Sequence, residues 1–488
     1  MSSIFIGALV FSILYMILFF EKNLGLSVML FIIPLVYYII YILKKKDRVK
    51  NENARILIIP IALLSSTYFI FNNKFFYTLN IPVIILLIAI MIMVLLGERI
   101  KINTVIAKIL NVNFKPLCYI GESISALKDK IKERLNIKIE PKKSKKIGKV
   151  IKGICISIPI VFVIILLLSS ADKEFGELFY NIIKWIFEVL SKIKLSGIVK
   201  RLIFTGIIFV YALCFFYNIT QKYNVEADER KLLNEIKDNT TVKILLGILN
   251  VVYLLFSIIQ IKSLFIGDAS INYAQYARKG FFQLMIVSFI NIVTILYAKN
   301  TQKGGESKKY INSMCIIMCI FTFIILISSA VRMYFYESQY GYTLLRLLVY
   351  CTLLTETILL IPTIVYILDK KINLPKVYFI IVIIMYICMN FANFDNMIAK
   401  RNIDRYIETG KIDIMYLTRN TSTDVVKQIM RLVELDNEKD ENSEYVKKQS
   451  RTYLKRVYDD LNDDKYIDFR ELNLSELFAR FRIKKGII

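Results

Sequence analysis

Histidine is absent from the 488 residues of this chain, tryptophan occurs once and proline only eight times. Without histidine there is no Ser-His or Cys-His nucleophile pair, no His-ligated zinc and no axial haem histidine. Proton chemistry therefore falls to Asp, Glu, Lys, Tyr or Cys. The seven cysteines form no disulfide framework. Cys155, Cys214, Cys315, Cys319, Cys351 and Cys388 lie inside apolar runs, where they act as small hydrophobes, and Cys118 stands alone in a polar connection. Cys315 and Cys319 share a helix face without other ligand types beside them, so neither a metal site nor a cofactor is expected. Walker, Rossmann and kinase signatures are missing as well.

Apolar sequence is what the chain has in excess, with 56% hydrophobic residues and a mean hydropathy of +0.53. A bilayer core of roughly 30 Å takes about 20 apolar residues as helix. Runs of that kind lie near 4–20, 24–43, 56–71, 75–96, 150–170, 202–219, 244–266, 280–298, 311–330, 344–368 and 377–393. The run at 56–71 is short enough to be re-entrant, which leaves ten spans as the fallback. The first run has no preceding Lys or Arg and no small-residue cleavage pattern, so it pairs with the second as a hairpin rather than acting as a signal peptide. The fold expected is all-α: a polytopic helical membrane bundle of about eleven spans, with a small helical C-terminal extramembrane domain. Four regions follow: an N-terminal four-helix segment (1–96), a basic cytoplasmic connection (97–149), a membrane core of about seven spans (150–393) and the C-terminal domain (394–488).

Charge gives the orientation. The net charge of +25 suggests a nucleic-acid partner until it is located: from residue 394 onward there are 19 Lys+Arg against 18 Asp+Glu. The excess belongs to alternate connections between spans. Segments 44–55, 97–149, 220–243, 299–310 and 369–376 hold 32 Lys+Arg, and the opposite set holds 11. The positive-inside rule makes the first set cytoplasmic and leaves the C-terminal domain outside, with no nucleic acid implied. The connection 97–149 includes the cluster PKKSKK at 141–146, and Ile124, Leu127, Ile131 and Leu135 fall at helical spacing among its charges. It is either an amphipathic helix on anionic inner-leaflet lipid or a solvated linker with topogenic lysines.

Four places carry side chains with chemical potential. After the fifth span, SSADKEF places Asp172 as an N-cap for a helix whose apolar face suits the outer leaflet. The next outer segment, NYAQYARKGFFQL, sets Tyr276 and Arg278 at the water boundary. They form an aromatic belt, or Arg278 binds a phosphate or carboxylate. RMYFYESQYGYTLLR clusters Tyr334, Tyr336, Tyr340 and Tyr342 with Glu337 between Arg332 and Arg346, as a belt or a ligand cleft. Glu356 lies about 18 Å inside the tenth span. A carboxylate at that depth is neutral, or paired toward the bundle interior, and Asn250, Gln260 and Asn291 are its prospective partners.

Five short strings in order carry a resemblance: SADKEF at 170–175, YARKGFF at 276–282, YGYTLLR at 340–346, NFDNMIAKRNIDRY at 393–406 and NLSELFAR at 473–480. On these the chain resembles the bacterial membrane proteins of the domain-of-unknown-function 4173 group, related to group 4153. In that family the fourth string often has a proline before the aspartate, where this chain has Phe394. The resemblance implies a multi-pass protein of the bacterial cell membrane and no established activity, so it transfers no catalytic residues. Three functions stay open. The first is a sensing, binding or scaffolding protein that acts through its outer face on an envelope protein partner. The second is a transporter that uses Glu356 as a proton or cation coupling site. The third is an enzyme on lipid-linked envelope substrates, with Arg278, Arg332, Arg346, Asp395, Arg401 and Arg405 around an external site.

Overall fold

The computed structural model describes residues 2–98, 102–126, 196–223, 239–266, 281–301, 307–369, 372–435, 441–462 and 468–487, together with Glu177, Asn181 and Lys184. Among them every regular element is helical. Hydrocarbon demands this, because each backbone N–H and C=O must be paired within its own segment. The N-terminal helices are α1 (Ser2–Phe19), α2 (Leu26–Lys45), α3 (Ile58–Ile70), α4 (Lys74–Leu95) and α5 (Ile102–Asn113). Next come α6 (Gly197–Tyr217), α7 (Asn239–Ile266), α8 (Phe281–Thr301), α9 (Ser307–Tyr340), α10 (Leu344–Leu368) and α11 (Leu374–Phe391). Eight of these, α1–α4, α6 and α9–α11, are long and apolar enough to cross a membrane. The predicted runs at 244–266 and 280–298 coincide with α7 and α8, whose described apolar stretches are shorter. The run at 150–170 lies outside the described residues. The short run at 56–71 gains length from a 3-10 helix, Glu52–Leu57, which leads directly into α3. At about 2.0 Å per 3-10 residue and 1.5 Å per α residue, the combined rod is about 31 Å long, enough to cross.

The chain divides into two compact units. The first comprises Met1–Phe69, Leu79–Val225 and Ile467–Leu472. Its aromatic core joins α1, α2 and α6: the Phe11 ring meets Phe31, Tyr38 and Phe216 at centroid distances of 6.0, 5.3 and 6.2 Å. Buried Thr67 and Asn80 tie α3 to α4 through Asn80 Nδ2, which donates to Thr67 Oγ1 at 2.9 Å. Helix α2 has no side-chain cap, since its N-cap is Gly25. Its first amides are satisfied from far along the chain, where the Leu472 and Arg470 carbonyls accept from Leu26 and Ser27 at 3.1 and 3.0 Å. Glycine is required there because a Cβ would lie 2.6 Å from the Glu471 carbonyl carbon. Lys22 holds the same returning segment through Asp468 at 3.1 Å.

The second unit comprises Ile70–Thr78, Glu226–Tyr466 and Asn473–Ile488. Its α7–α11 form a bundle in which α10 turns one stripe inward: Arg346, Val349, Leu353, Glu356, Leu360, Thr363 and Ile367. That three-and-four spacing is the mark of one helical face. Five further helices fold beyond the bundle: α12 (Phe394–Thr409), α13 (Ile414–Arg419), α14 (Val426–Glu434), α15 (Glu441–Asn462) and α16 (Leu474–Ile487). They share a core in which Ile398, Ile403, Leu417, Ile429 and Ile483 are fully or almost fully buried. Ser422 caps the short 3-10 turn that leads into α14, accepting from Asp424 N. Within the charged stretch 437–470, α15 is a regular helix, and Val446, Tyr453, Leu454 and Val457 bury one face of it. The family proline would fall on Phe394, the first residue of α12, where proline's fixed φ and missing N–H are tolerated. Phenylalanine leaves the turn intact and packs its ring 5.9 Å from Phe76.

Candidate functional site

The bonded polar network of the second unit is centred on the turn between α9 and α10. Gly341 adopts φ +78 and breaks α9, a conformation that L side chains resist. Several of the groups the turn exposes are taken up. Gly341 N donates to Glu337 O at 2.7 Å, and Arg405 Nη2 donates to Gln339 O at 2.8 Å. Asn402 Oδ1 accepts from Tyr342 N at 2.9 Å, while its Nδ2 donates to Tyr342 O at 2.8 Å. The first amide of α10, on Leu344, donates to Tyr416 Oη at 2.9 Å. Two cations thus meet the negative end of α9, as the helix dipole favours.

Arg346 is the other cation at that end. It is 8% exposed, and no carboxylate lies within ion-pair distance among the described residues. Its guanidinium carbon lies 4.4 Å from the Tyr336 ring centroid and 6.0 Å from that of Tyr340. One Nη donates to the Gly341 carbonyl, and Nε is buried without a partner. Glu337 is buried nearby and is served by the Tyr342 and Tyr350 hydroxyls. Within the tyrosine cluster, Tyr336 and Tyr340 thus solvate a buried cation with their rings and Tyr342 serves a buried carboxylate with its hydroxyl.

A second node begins in the first turn of α12. Asp395 is 3% exposed, and its Oδ2 accepts from Ser422 N at 3.1 Å. Ser422 Oγ donates in turn to Asp424 Oδ2 at 3.0 Å, which also accepts from Asn72 N at 3.3 Å. Asn72 Nδ2 continues to Glu476 Oε1 at 2.7 Å, and Asn473 Nδ2 reaches Phe71 O at 2.8 Å. Burial pushes the Asp395 and Asp424 carboxyls above their ordinary value, opposed at Asp395 by the Ser422 hydrogen bonds and at Asp424 by those of Ser475, Asn72 and Ser422. Three of the five marked segments, 340–346, 393–406 and 473–480, are thereby joined in one unit. The sequence pointed to Tyr340, Arg346, Asp395 and Arg405, which this network contains, and to Arg401, which is exposed on α12. Asn402 and Tyr416 were missed, and Ser422 and Asp424 were legible only as a helix cap and a helix start. Neither Asn402 nor Tyr416 left a local signal. Asp172, Tyr276 and Arg278 lie outside the described residues.

Inside the bundle, Glu356 is 6% exposed and faces the interior as expected. Its partner differs from those expected, for Ser288 Oγ donates to Glu356 Oε2. Asn250 instead donates to the Met314 carbonyl at 3.1 Å, and Asn291 to Thr322 Oγ1 at 3.1 Å. The side chain of Gln260 lies outside the description. A serine in a membrane helix normally bonds its own preceding turn, as Ser288 also does to Met285 O at 2.8 Å. Nothing in sequence separates it from the other serines. Lys299, counted among the topogenic charges, is fully buried: Nζ donates to Asn312 Oδ1 at 2.7 Å and to Ile367 O at 3.0 Å.

A family model described as "Domain of unknown function (DUF4153)" matches residues 58–432, and the chain belongs to that family. The match falls on group 4153, the relative of the group that the five strings resemble, and the segment 473–480 lies beyond it. No curated protein and no solved structure matches the chain.

Proposed function

With membership of an uncharacterised membrane family as the premise, we propose that the chain is a non-enzymatic envelope protein. It binds or scaffolds a partner protein through the folded end of its second unit, held outside the cell. The observation that carries this reading is how the marked polar residues are used. Asn402, Arg405 and Arg346 spend hydrogen bonds on the turn, and Asp395 and Asp424 accept theirs from Ser422, building a braced platform. On its surface α16 turns Ala479 and Ile483 inward and leaves Phe478, Phe481 and Arg482 exposed. Exposed aromatics beside an arginine are the residue types in which binding energy concentrates at protein interfaces.

Two measurements test it. Lys448 is exposed on α15 and suits labelling. In a cysteine-free background, Lys448→Cys should react with an impermeant reagent on intact cells, and protection there overturns the orientation. A photoreactive residue at Phe481 should give protein adducts that Phe478→Ala removes at normal abundance. Adducts that persist unchanged, or form with lipid alone, overturn the partner reading.

A second reading rests on Glu356, whose buried carboxyl bonded to Ser288 is placed as a coupling site would be in a transporter. Glu356→Gln keeps the hydrogen bond and removes the titrating proton. Unaltered growth and ion flux in that variant would leave the transport reading without support.

A further inference from the structure

The first unit contains a feature that the platform does not use. Between α1 and α2 runs an open groove of 450 Å³ whose lining is almost wholly apolar. Its floor exists because of Gly7: a Cβ there would collide with the Tyr38 ring, which lies against it and donates its hydroxyl to Ser3 O. Pro34 sits within α2 beside the groove, removing one backbone N–H from the helix. Ile6 and Val10 form one wall and Tyr37 and Tyr41 the other, all four more than half exposed.

The groove leads toward charge. Lys44 and Lys45 occupy the last turn of α2 and Lys46 caps it. Lys44 is in ion-pair reach of Glu52 at 4.0 Å, and Arg48 donates to the Tyr223 carbonyl. Lys45 differs. Its Nζ donates to Tyr41 Oη at 3.2 Å and sits 5.5 Å from that ring's centroid, with no carboxylate in ion-pair reach among the described residues. Its charge is uncompensated at the point where the groove meets the polar boundary.

We propose that the groove is a binding site for an anionic phospholipid. One acyl chain lies along Gly7 and Tyr38, between Val10 and Tyr37, and the phosphate meets Lys45 beside the Tyr41 hydroxyl. Both helices are of membrane-crossing length and composition, so the medium beside the groove is hydrocarbon and the natural occupant of an apolar furrow is an acyl chain. The lysine selects the headgroup: an ammonium at the membrane boundary favours anionic lipid, and the aromatic ring beneath it fixes where the charge sits.

The test uses the full chain purified in detergent and stripped of lipid. Phosphatidylglycerol, phosphatidylcholine and inorganic phosphate are each added, with bound lipid read by native mass spectrometry and stability by thermal midpoint. Phosphatidylglycerol should bind at one saturable site and raise the midpoint more than phosphatidylcholine does. Lys45→Gln should weaken phosphatidylglycerol binding by about five-fold, the effect of one lysine near an anionic surface, and leave phosphatidylcholine unchanged. Val10→Trp and Ile6→Trp, at exposed wall positions, should fill the groove and lower retention of both lipids while helicity stays normal. Lys45→Gln or both tryptophan variants binding as wild type would overturn the site. Inorganic phosphate stabilising as much as the lipid would overturn the lipid assignment in favour of a free-anion site.

Discussion

Asn402 and Tyr342 are joined by two hydrogen bonds running in opposite directions, the side-chain amide of one matched to both backbone groups of the other. A side-chain amide can do this because its nitrogen donates while its oxygen, on the same carbon, accepts. Asn402→Ala therefore leaves a largely buried N–H and C=O without partners, at a cost of about 1–3 kcal/mol. Asn402→Asp keeps the acceptor but turns a second acceptor toward the Tyr342 carbonyl, and should cost at least as much. A thermal melt of the purified protein checks both, and variants melting with wild type would remove the turn from the bracing network.

Two glycines with similar backbones separate strain from collision. Gly341 and Gly410 have φ +78 and +69, so alanine at either position pays the left-handed penalty of about 1–2 kcal/mol. Gly410 has open space around it, whereas a Cβ at Gly341 would lie 2.5 Å from Asn402 Oδ1 and 3.0 Å from Arg405 Nη1. Gly341→Ala should lower the melting midpoint clearly more than Gly410→Ala. Equal losses would mean that the Asn402 and Arg405 side chains move aside freely.

What was legible in the sequence follows from the range of the physics involved. Apolar length and charge alternation are local sums, so spans such as α2, α4 and α10 could be read directly, as could the inward face that carries Glu356. The closure of α2 by Arg470 and Leu472 carbonyls could not, because Gly25 carries no capping side chain to announce it. Lys299 misled for the opposite reason. A lysine at a helix end looks solvated, yet this one neutralises the C-terminal carbonyls of α10 from inside the bundle. Tyr416 is an ordinary residue until the chain returns it to Leu344, and Ser422, legible as a helix cap, gives no sign that its amide meets Asp395.

Acid should act oppositely on two carboxylate groups. Burial raises Asp395 and Asp424, whereas the Arg470 side chain beside Asp468 holds that carboxyl well below the usual range. A raised carboxyl stabilises the fold fully below its unfolded value near 3.8, and this contribution is lost as pH rises through the folded value. A lowered one stabilises above 3.8 and loses its effect as pH falls. From pH 7 to pH 4 the protection factor of the Ser422 amide should rise, whereas those of Leu26 and Ser27 should hold to about 3.8 and fall only as pH is lowered further. Asp395→Asn, which fixes the neutral form, should flatten the Ser422 response, and an unflattened response would place the titration elsewhere.

The stacked guanidinium makes a sharper demand than a buried charge alone. Arg346 lies over Tyr336 while reaching the Gly341 carbonyl, two contacts that a planar group satisfies together and a flexible ammonium does not. Arg346→Lys should therefore lose about 1–2 kcal/mol although charge is conserved. Arg346→Met, which removes the cost of burying an ion, should lose less than the contact geometry suggests. Both are read as shifts in thermal midpoint, with circular dichroism confirming the helices. Should Arg346→Lys melt with wild type, the stack would carry no stability, and the unpartnered Nε would have to be explained by something the cation binds.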